Sequence, residues 1–312
     1  MKTLEKFNSL LELIHYFSNE EKCIEYLEEL RWNGNVISPF DSTSKVYKCS
    51  KGYWCKNTNK IFNVKTKTIF ENSKISLQKW FIAIWLITSH KKGISSIQLS
   101  KDINVTQKTG WFMLQRIRKC FENENYSILH NEVEIDETYI GGKERNRNPF
   151  SVSNETKGRS IKSKVPVLGM VERNGKLVSH IIGDTKSSTL TPSILKVVDK
   201  DSTIYTDEWK GYSGIDKLYN HLSVKHKENQ FVNGKVYTNT IENFWGLLKR
   251  GILGIYHNLS KKHLQMYIDE FVFRYNYREV KDFERFDILL MNITNRLRYR
   301  DLIKEDYDLF KN

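Results

Sequence analysis

A chain of 312 residues with 39% hydrophobic and 12% aromatic content has ample apolar surface for a packed core, which excludes wholesale disorder. No apolar run reaches the length of about 18 residues that spans a bilayer, and four scattered cysteines (Cys23, Cys49, Cys55, Cys120) are too few for a disulfide scaffold, which fits a reducing, intracellular compartment. The formal charge of +13, from 50 Lys and Arg against 37 Asp and Glu, favours a polyanionic partner, since each neutralised phosphate releases a condensed counterion.

The first residues mix acids with apolar side chains and lack a small-residue cleavage site, unlike a signal peptide. Residues 1–31 carry two helical patterns, one through Leu4, Phe7, Leu10, Leu11 and Ile14, the other through Cys23, Ile24, Leu27 and Leu30. From 32 to 70, Gly34, Pro39, Asp41, Ser42 and Ser44 break the chain, and short β-like runs follow at 45–49 and 60–64. Residues 76–122 turn helical again, and their most apolar stretch, 80–88 (WFIAIWLIT), reads as a buried helix.

Between 93 and 120, Ser95 or Ser96 caps a helix running to Ile103, Asn104-Val105 forms a tight turn, and Thr106 caps a second helix with Trp111, Leu114 and Ile117 at helical spacing. This pattern fits an ordinary helical hairpin or a helix-turn-helix; the short turn and the basic second helix favour the latter. In that reading Gln107, Lys108 and Thr109 stand where a recognition helix reaches base edges, and Arg116 is a further DNA contact.

Residues 132–140 (EVEIDETYI) alternate in strand period and carry Asp136 shortly before Gly141-Gly142. The segment 141–164 is polar and aperiodic, with Lys143, Arg145, Arg147, Lys157, Arg159, Lys162 and Lys164 against Glu144 and Glu155. A solvated loop and a basic arm on DNA are both open readings, with Lys143 and Arg145 as DNA contacts in the second. Apolar runs at 165–171 and 177–182 flank Asn174-Gly175, a hairpin signal. An amphipathic helix over 190–198 precedes a strand over 202–207 that ends in Asp207, and a further short strand is expected over 223–226.

The helix expected over 238–250 has Ile241, Phe244, Trp245 and Leu248 on its apolar side and Asn239, Glu242 and Lys249 on another face. Acids delivered by two strand ends and one helix suit a hard divalent cation such as Mg²⁺. Two such ions activate a water or a 3′-hydroxyl for in-line displacement at phosphorus. A single acid is a surface residue by default; the strand, strand, helix order of Asp136, Asp207 and Glu242 is the specific signal. Glu134, Glu137 and Glu208 read as supporting or solvated neighbours. His226, just past a strand, is a candidate contact to DNA or a metal-bound water, whereas His130, His180, His221, His257 and His263 show no ligand spacing.

The stretches EIDETYIGGKERN, IYTDEWKGY and HKENQFVNGKVYTNTIENFWGLLKRGILGIYH resemble the integrase-type domain of bacterial insertion-sequence DDE transposases of the Merlin-related, ISXO-like group. The spacings, 71 residues from Asp136 to Asp207 and 35 from there to Glu242, agree with that group's pattern. IEYLEELRW, TIFENSKISLQKWFIAIWLITSHKKGISSIQLS and the helix from Gln107 to Arg118 are similar to its N-terminal part, so the resemblance covers residues 20–285.

It implies an α/β, ribonuclease-H-like fold, a mixed sheet flanked by helices, with Mg²⁺ or Mn²⁺ held by Asp136, Asp207 and Glu242 as catalytic ligands. Lys249 is implied as a DNA contact near the cleaved end, with Asn239 beside it on the same helix. The partners implied are double-stranded DNA, both terminal inverted repeats and target, bound by a homodimer or higher oligomer, and no membrane. In a bacterial host the protein would be cytoplasmic and nucleoid-associated.

The organisation expected is an N-terminal region with a degenerate zinc ribbon over 1–70, a helix-turn-helix region over 71–128, the catalytic domain over 129–285 and a helical tail over 286–312. The activity expected is cleavage at element ends and joining of the 3′ ends to target DNA. A non-catalytic helix-turn-helix regulator and a ribonuclease-H-like nuclease are the alternatives. One departure stands out. Where the group has two Cys-x-x-Cys pairs, this chain reads Ser38-Pro39-Phe40-Asp41 and Cys55-Lys56-Asn57-Thr58, with Cys49 out of register. A structural zinc needs about four N or S ligands, so no zinc is expected.

Overall fold

The computed structural model describes residues 7–141, 164–224, 237–257, 259–294 and 296–304, without the side chains of 123–126. Lys143, Arg145, the rest of the basic segment 142–163 and His226 lie outside the described residues. The chain splits into two compact units, Met1–Phe121 with Glu279–Asn312, and Glu122–Arg278.

In chain order the first unit begins with α1 (Leu10–Tyr16) and α2 (Glu20–Trp32). A small sheet follows, of β1 (Val46–Cys49), β2 (Gly52–Cys55) and β3 (Lys60–Phe62), then α3 (Leu77–Ser89), α4 (Ser96–Asp102) and α5 (Gln107–Arg118). The second unit holds β4 (Glu132–Ile140), β5 (Val165–Glu172), β6 (Leu177–Ile181), α6 (Ser187–Leu195), β7 (Thr203–Asp207), β8 (Asn220–Val224), α7 (Asn239–Gly251) and α8 (Leu264–Asn276). The chain then returns to the first unit with α9 (Asp282–Met291) and α10 (Tyr299–Ile303).

Each of α1 to α5 starts at a residue whose side chain accepts from the helix's first turn: Ser9, Asn19, Ser76, Ser95 and Thr106. Nine of the 13 residues of α3 are buried, so it forms the centre of its unit rather than a surface helix. Phe81 of α3 meets the rings of Phe17 at 4.7 Å and Phe286 of α9 at 5.4 Å. This aromatic packing lies within the first unit, which takes in α1 to α5 together with α9 and α10.

The helix pair α4–α5 forms as its caps and turn indicate. Asn104 takes φ 49° in the turn. A Cβ on Gly110 would sit 3.1 Å from the Ser96 carbonyl, so the glycine lets the two helices cross closely.

The second unit is built on a five-stranded mixed sheet of order β6-β5-β4-β7-β8. β4, β5 and β6 pair antiparallel, while β7 runs parallel to both β4 and β8. The β5–β6 hairpin turns at Asn174, with φ 61°. One face buries Val133, Ile135, Leu168, Met170 and Ile204 with Leu190 and Ile194 of α6. The other buries Val165, Val167 and Val171 with Ile241, Phe244, Trp245 and Leu248 of α7 and Ile268 and Phe271 of α8. Each fully buried large side chain there contributes about 1.5–3 kcal/mol. Because side chains alternate along a strand, Val133 and Ile135 on one face leave Glu134 and Asp136 on the face that α7 covers.

Candidate active site

The register of β4 and β7 sets Val133 beside Ile204 and Glu134 beside Tyr205. Two residues beyond the last of these pairs come Asp136 and Asp207, on the same side of the sheet by alternation and near enough for the Asp207 charge to act on the Asp136 carboxyl. Asp136 is half-buried, and its carboxyl is raised from the ordinary 3.8 to about 7. Burial is the main cause, followed by the charges of Glu137 and Asp207; hydrogen bonds from the Glu137 N–H and the Trp245 indole pull the other way. Asp207 closes its strand with a local turn, its Oδ1 accepting from Trp209 N at 2.9 Å.

How α7 reaches this pair depends on a glycine. Asp136 pairs across the sheet with Gly169 of β5. A Cβ on Gly169 would lie 2.5 and 2.6 Å from carbons of the Trp245 ring and 2.7 Å from Ile241 Cδ1. The absent side chain admits the indole, whose Nε1 donates to Asp136 Oδ2 at 3.0 Å.

Glu134, fully buried, receives the start of α7. Its Oε2 accepts from the backbone N–H of Thr240 (2.9 Å) and Ile241 (3.2 Å), and its Oε1 from Thr240 Oγ1 (2.9 Å) and Arg173 Nε (2.9 Å). The Arg173 guanidinium lies between the rings of Tyr205 (3.9 Å) and Tyr237 (3.8 Å) and donates to the Tyr237 carbonyl. Burial pulls the Arg173 pKa down, but its hydrogen bond and charge pairing with Glu134 leave it raised overall. Glu137, on the opposite face, accepts from the Tyr212 hydroxyl at 2.7 Å, and burial followed by the Glu137 charge pushes that phenol well above its ordinary pKa. Glu208 is exposed.

Glu242 is exposed in the first turn of α7, one turn before Trp245, and its Oε1 accepts from Thr238 Oγ1 at 3.3 Å. The structure therefore brings Asp136 and Asp207 near each other and lays α7 against Asp136, while the Glu242 carboxyl accepts from Thr238 at its own helix start. Among the described residues no three His, Cys, Asp or Glu side chains converge closely enough to hold a metal ion. Asn239 and Lys249 are exposed along α7.

In the other unit, Gln107 and Lys108 are exposed at the start of α5, Gln107 Nε2 donating to Ser96 Oγ and Lys108 Nζ lying 5.1 Å over the Tyr299 ring. Thr109 is half-buried and donates its N–H to Thr106 Oγ1. Arg116 departs from the expectation of a DNA contact. It is 5% exposed, and its guanidinium donates to the carbonyls of Ile69 (2.7 Å), Leu297 (3.0 Å) and Glu71 (3.4 Å). A cation buried among carbonyls is a tertiary tie and offers no charge to a phosphate.

At the ribbon positions, Ser38 and Cys55 are buried, and Asp41 accepts from Asn57 and Thr43. Burial raises the Cys55 thiol, but the neighbouring hydroxyls of Ser38 and Ser44 and the Thr58 N–H outweigh it and bring the pKa down to about 7. One thiol among hydroxyls is a poor donor set for zinc. His221 Nε2 pairs with Thr206 Oγ1 at 2.8 Å. Among the described residues no helix is long and apolar enough to cross a membrane.

Sequence reasoning left Glu134 open between a supporting and a solvated role, and missed Arg173 as a builder of this site. The available signal was an acid at the alternate position of the strand that carries Asp136, and an arginine at the hairpin turn.

Residues 128–276 match the ISXO2-like transposase domain. An uncharacterized protein in transposable element ISH50 of Halobacterium salinarum is 30% identical over 277 residues, covering 84% of this chain and 92% of its own length. An uncharacterized transposase-like protein of Haemophilus influenzae is 32% identical over 107 residues, covering 34% of this chain and 85% of its own. Among solved structures, the Mos1 Strand Transfer Complex aligns over 68% of this chain and 74% of that one, at 11% identity and a TM-score of 0.28, too slight a likeness to bear on the fold.

Proposed function

Because the chain belongs to the ISXO2-like transposase family, we propose that it cuts phosphodiester bonds at the terminal inverted repeats of an insertion sequence and joins the freed 3′ ends to target DNA. The observation that carries the reading is that Asp136 and Asp207, on adjacent parallel strands, lie near enough for one carboxylate to act on the other, with α7 seated on Asp136 through Trp245. The strand order supports a ribonuclease-H-like sheet.

Asp136, Asp207 and Glu242 are the residues that would hold Mg²⁺ or Mn²⁺. Their donors are all carboxylate oxygens, which suits hard cations. The carboxyl of Asp136, raised by burial and by neighbouring carboxylates, sits in the kind of field that a divalent cation relieves. When bound, such ions supply Lewis acidity to the attacking and leaving oxygens of an in-line displacement. The indole of Trp245 fixes the orientation of Asp136 Oδ2. Lys249 and Asn239, exposed on the helix that carries Glu242, are the groups for phosphate and sugar near the cleaved end.

In the first unit, α4 and α5 serve as a helix-turn-helix that presents Gln107, Lys108 and Thr109 to the major groove. Lys143 and Arg145 are further proposed contacts. Two element ends must be handled together, so a dimer or higher oligomer on DNA is proposed, acting in a bacterial host on the nucleoid.

The test is incubation of a duplex carrying an element end with Mg²⁺ or Mn²⁺, comparing the parent with Asp136→Asn and Glu242→Gln. Cleavage and strand transfer by the parent, abolished in both variants, is the expected result. Binding without cleavage by the parent would leave a helix-turn-helix regulator, and cleavage without strand transfer a nuclease.

A further inference from the structure

The helices α1 to α5 are capped by the residue that precedes them, but α7 is not: Thr238 makes no cap through its side chain, and its hydroxyl goes to Glu242 instead. The first N–H groups of a helix have no partner within it, and they carry the positive end of its dipole. In α7 they are met by Glu134, an anion from a strand 106 residues earlier in the chain. We propose that Glu134, steadied by Arg173, is a positioning residue for catalysis that locks the start of α7, and with it Glu242, onto the strand that carries Asp136. The proposal rests on the reading of Asp136 and Glu242 as catalytic.

Three features make this more than a structural tie. Glu134 and Asp136 lie two residues apart on β4, so one short piece of rigid strand sets both a catalytic aspartate and the landing point of the helix that bears Glu242. Four donors meet the two Glu134 oxygens, a set that only an acceptor-only carboxylate satisfies. The counter-charge is itself held in place, with Arg173 stacked between Tyr205 and Tyr237 and also 3.5 Å from Glu132, which accepts from the Tyr205 hydroxyl. Glu242 is exposed in the first turn of α7, so its position follows from where that helix begins.

The test uses the full-length protein and two variants. Glu134→Gln keeps the shape but turns an amide N–H₂ toward donors. Arg173→Lys keeps the charge but loses the stack and the fork. Single-turnover cleavage of pre-bound end-bearing duplex in Mn²⁺ is expected to slow about 100-fold in Glu134→Gln and less in Arg173→Lys, with DNA affinity unchanged. Hydrogen exchange over 239–242, read without metal or DNA, is expected to quicken in both while exchange in β5 stays as in the parent. Glu242→Gln is run alongside. If Glu242→Gln cleaves like the parent, the catalytic reading fails and this proposal with it. If Glu242→Gln is inactive while Glu134→Gln keeps the parent rate constant, or loses only burst amplitude, the positioning role alone is overturned. Should Glu134→Gln not fold, Arg173→Lys decides: parent-like exchange and rate overturn the proposal.

Discussion

Gly169→Ala places one methyl group at the point where α7 meets the sheet. The added Cβ would stand 2.5–2.7 Å from Trp245 and Ile241, and ordinary contact begins near 3.4 Å, so α7 or the indole must retreat by just under 1 Å. Neither can do so cheaply. Trp245 and Ile241 are buried, and the indole is tied to Asp136. Overpacking of this kind costs about 1–3 kcal/mol. The retreat also shifts the helix that carries Glu242, and misplacement by 1 Å costs about 100-fold in rate. Urea unfolding should show a lower midpoint at unchanged slope, and single-turnover cleavage should fall with it. A midpoint and a cleavage rate both equal to the parent's would refute the claim that close approach at Gly169 sets the position of α7.

Two further outcomes are expected. Asp136, raised from 3.8 to about 7 in the folded protein, contributes stability that is full below pH 3.8 and lost as pH rises through 7. Asp136→Asn lacks that loss, so metal-free thermal melts should show the variant more stable than the parent at pH 8, with the gap closing toward pH 4. At about 1.36 kcal/mol per pKa unit the ceiling is about 4 kcal/mol, and solvent screening of a half-buried group brings the expected gap to about 1–2 kcal/mol; a gap independent of pH would contradict this. Arg116→Ala should cost about 2–3 kcal/mol in urea unfolding, through charge-assisted hydrogen bonds to Ile69 and Leu297. The salt dependence of DNA binding by the folded variant should stay at the parent's slope, whereas loss of a phosphate contact would lower that slope by about one.

Much of this organisation was legible in the residues. Caps such as Thr106, the apolar run of α3, the Asn174-Gly175 hairpin and the alternation around Asp136 are local signals, and local signals survive in one dimension. Arg116 misled because a basic residue on an amphipathic helix reads the same whether it faces DNA or three carbonyls from distant segments. The β2 strand passed unnoticed because Gly52–Cys55 is too short to show a period, and it exists through pairing on both edges.

The sequence by itself determined most of the elements, the acids at their ends and, through the motifs around them, the family. Only the tertiary structure decided that the strands of Asp136 and Asp207 lie side by side, that Glu134 caps α7 and that Gly169 leaves room for Trp245. The reason is range. Helix and strand signals repeat within a few residues, whereas the register of a parallel pair and the capping of a helix by a strand depend on backbone brought together across 70 or more residues.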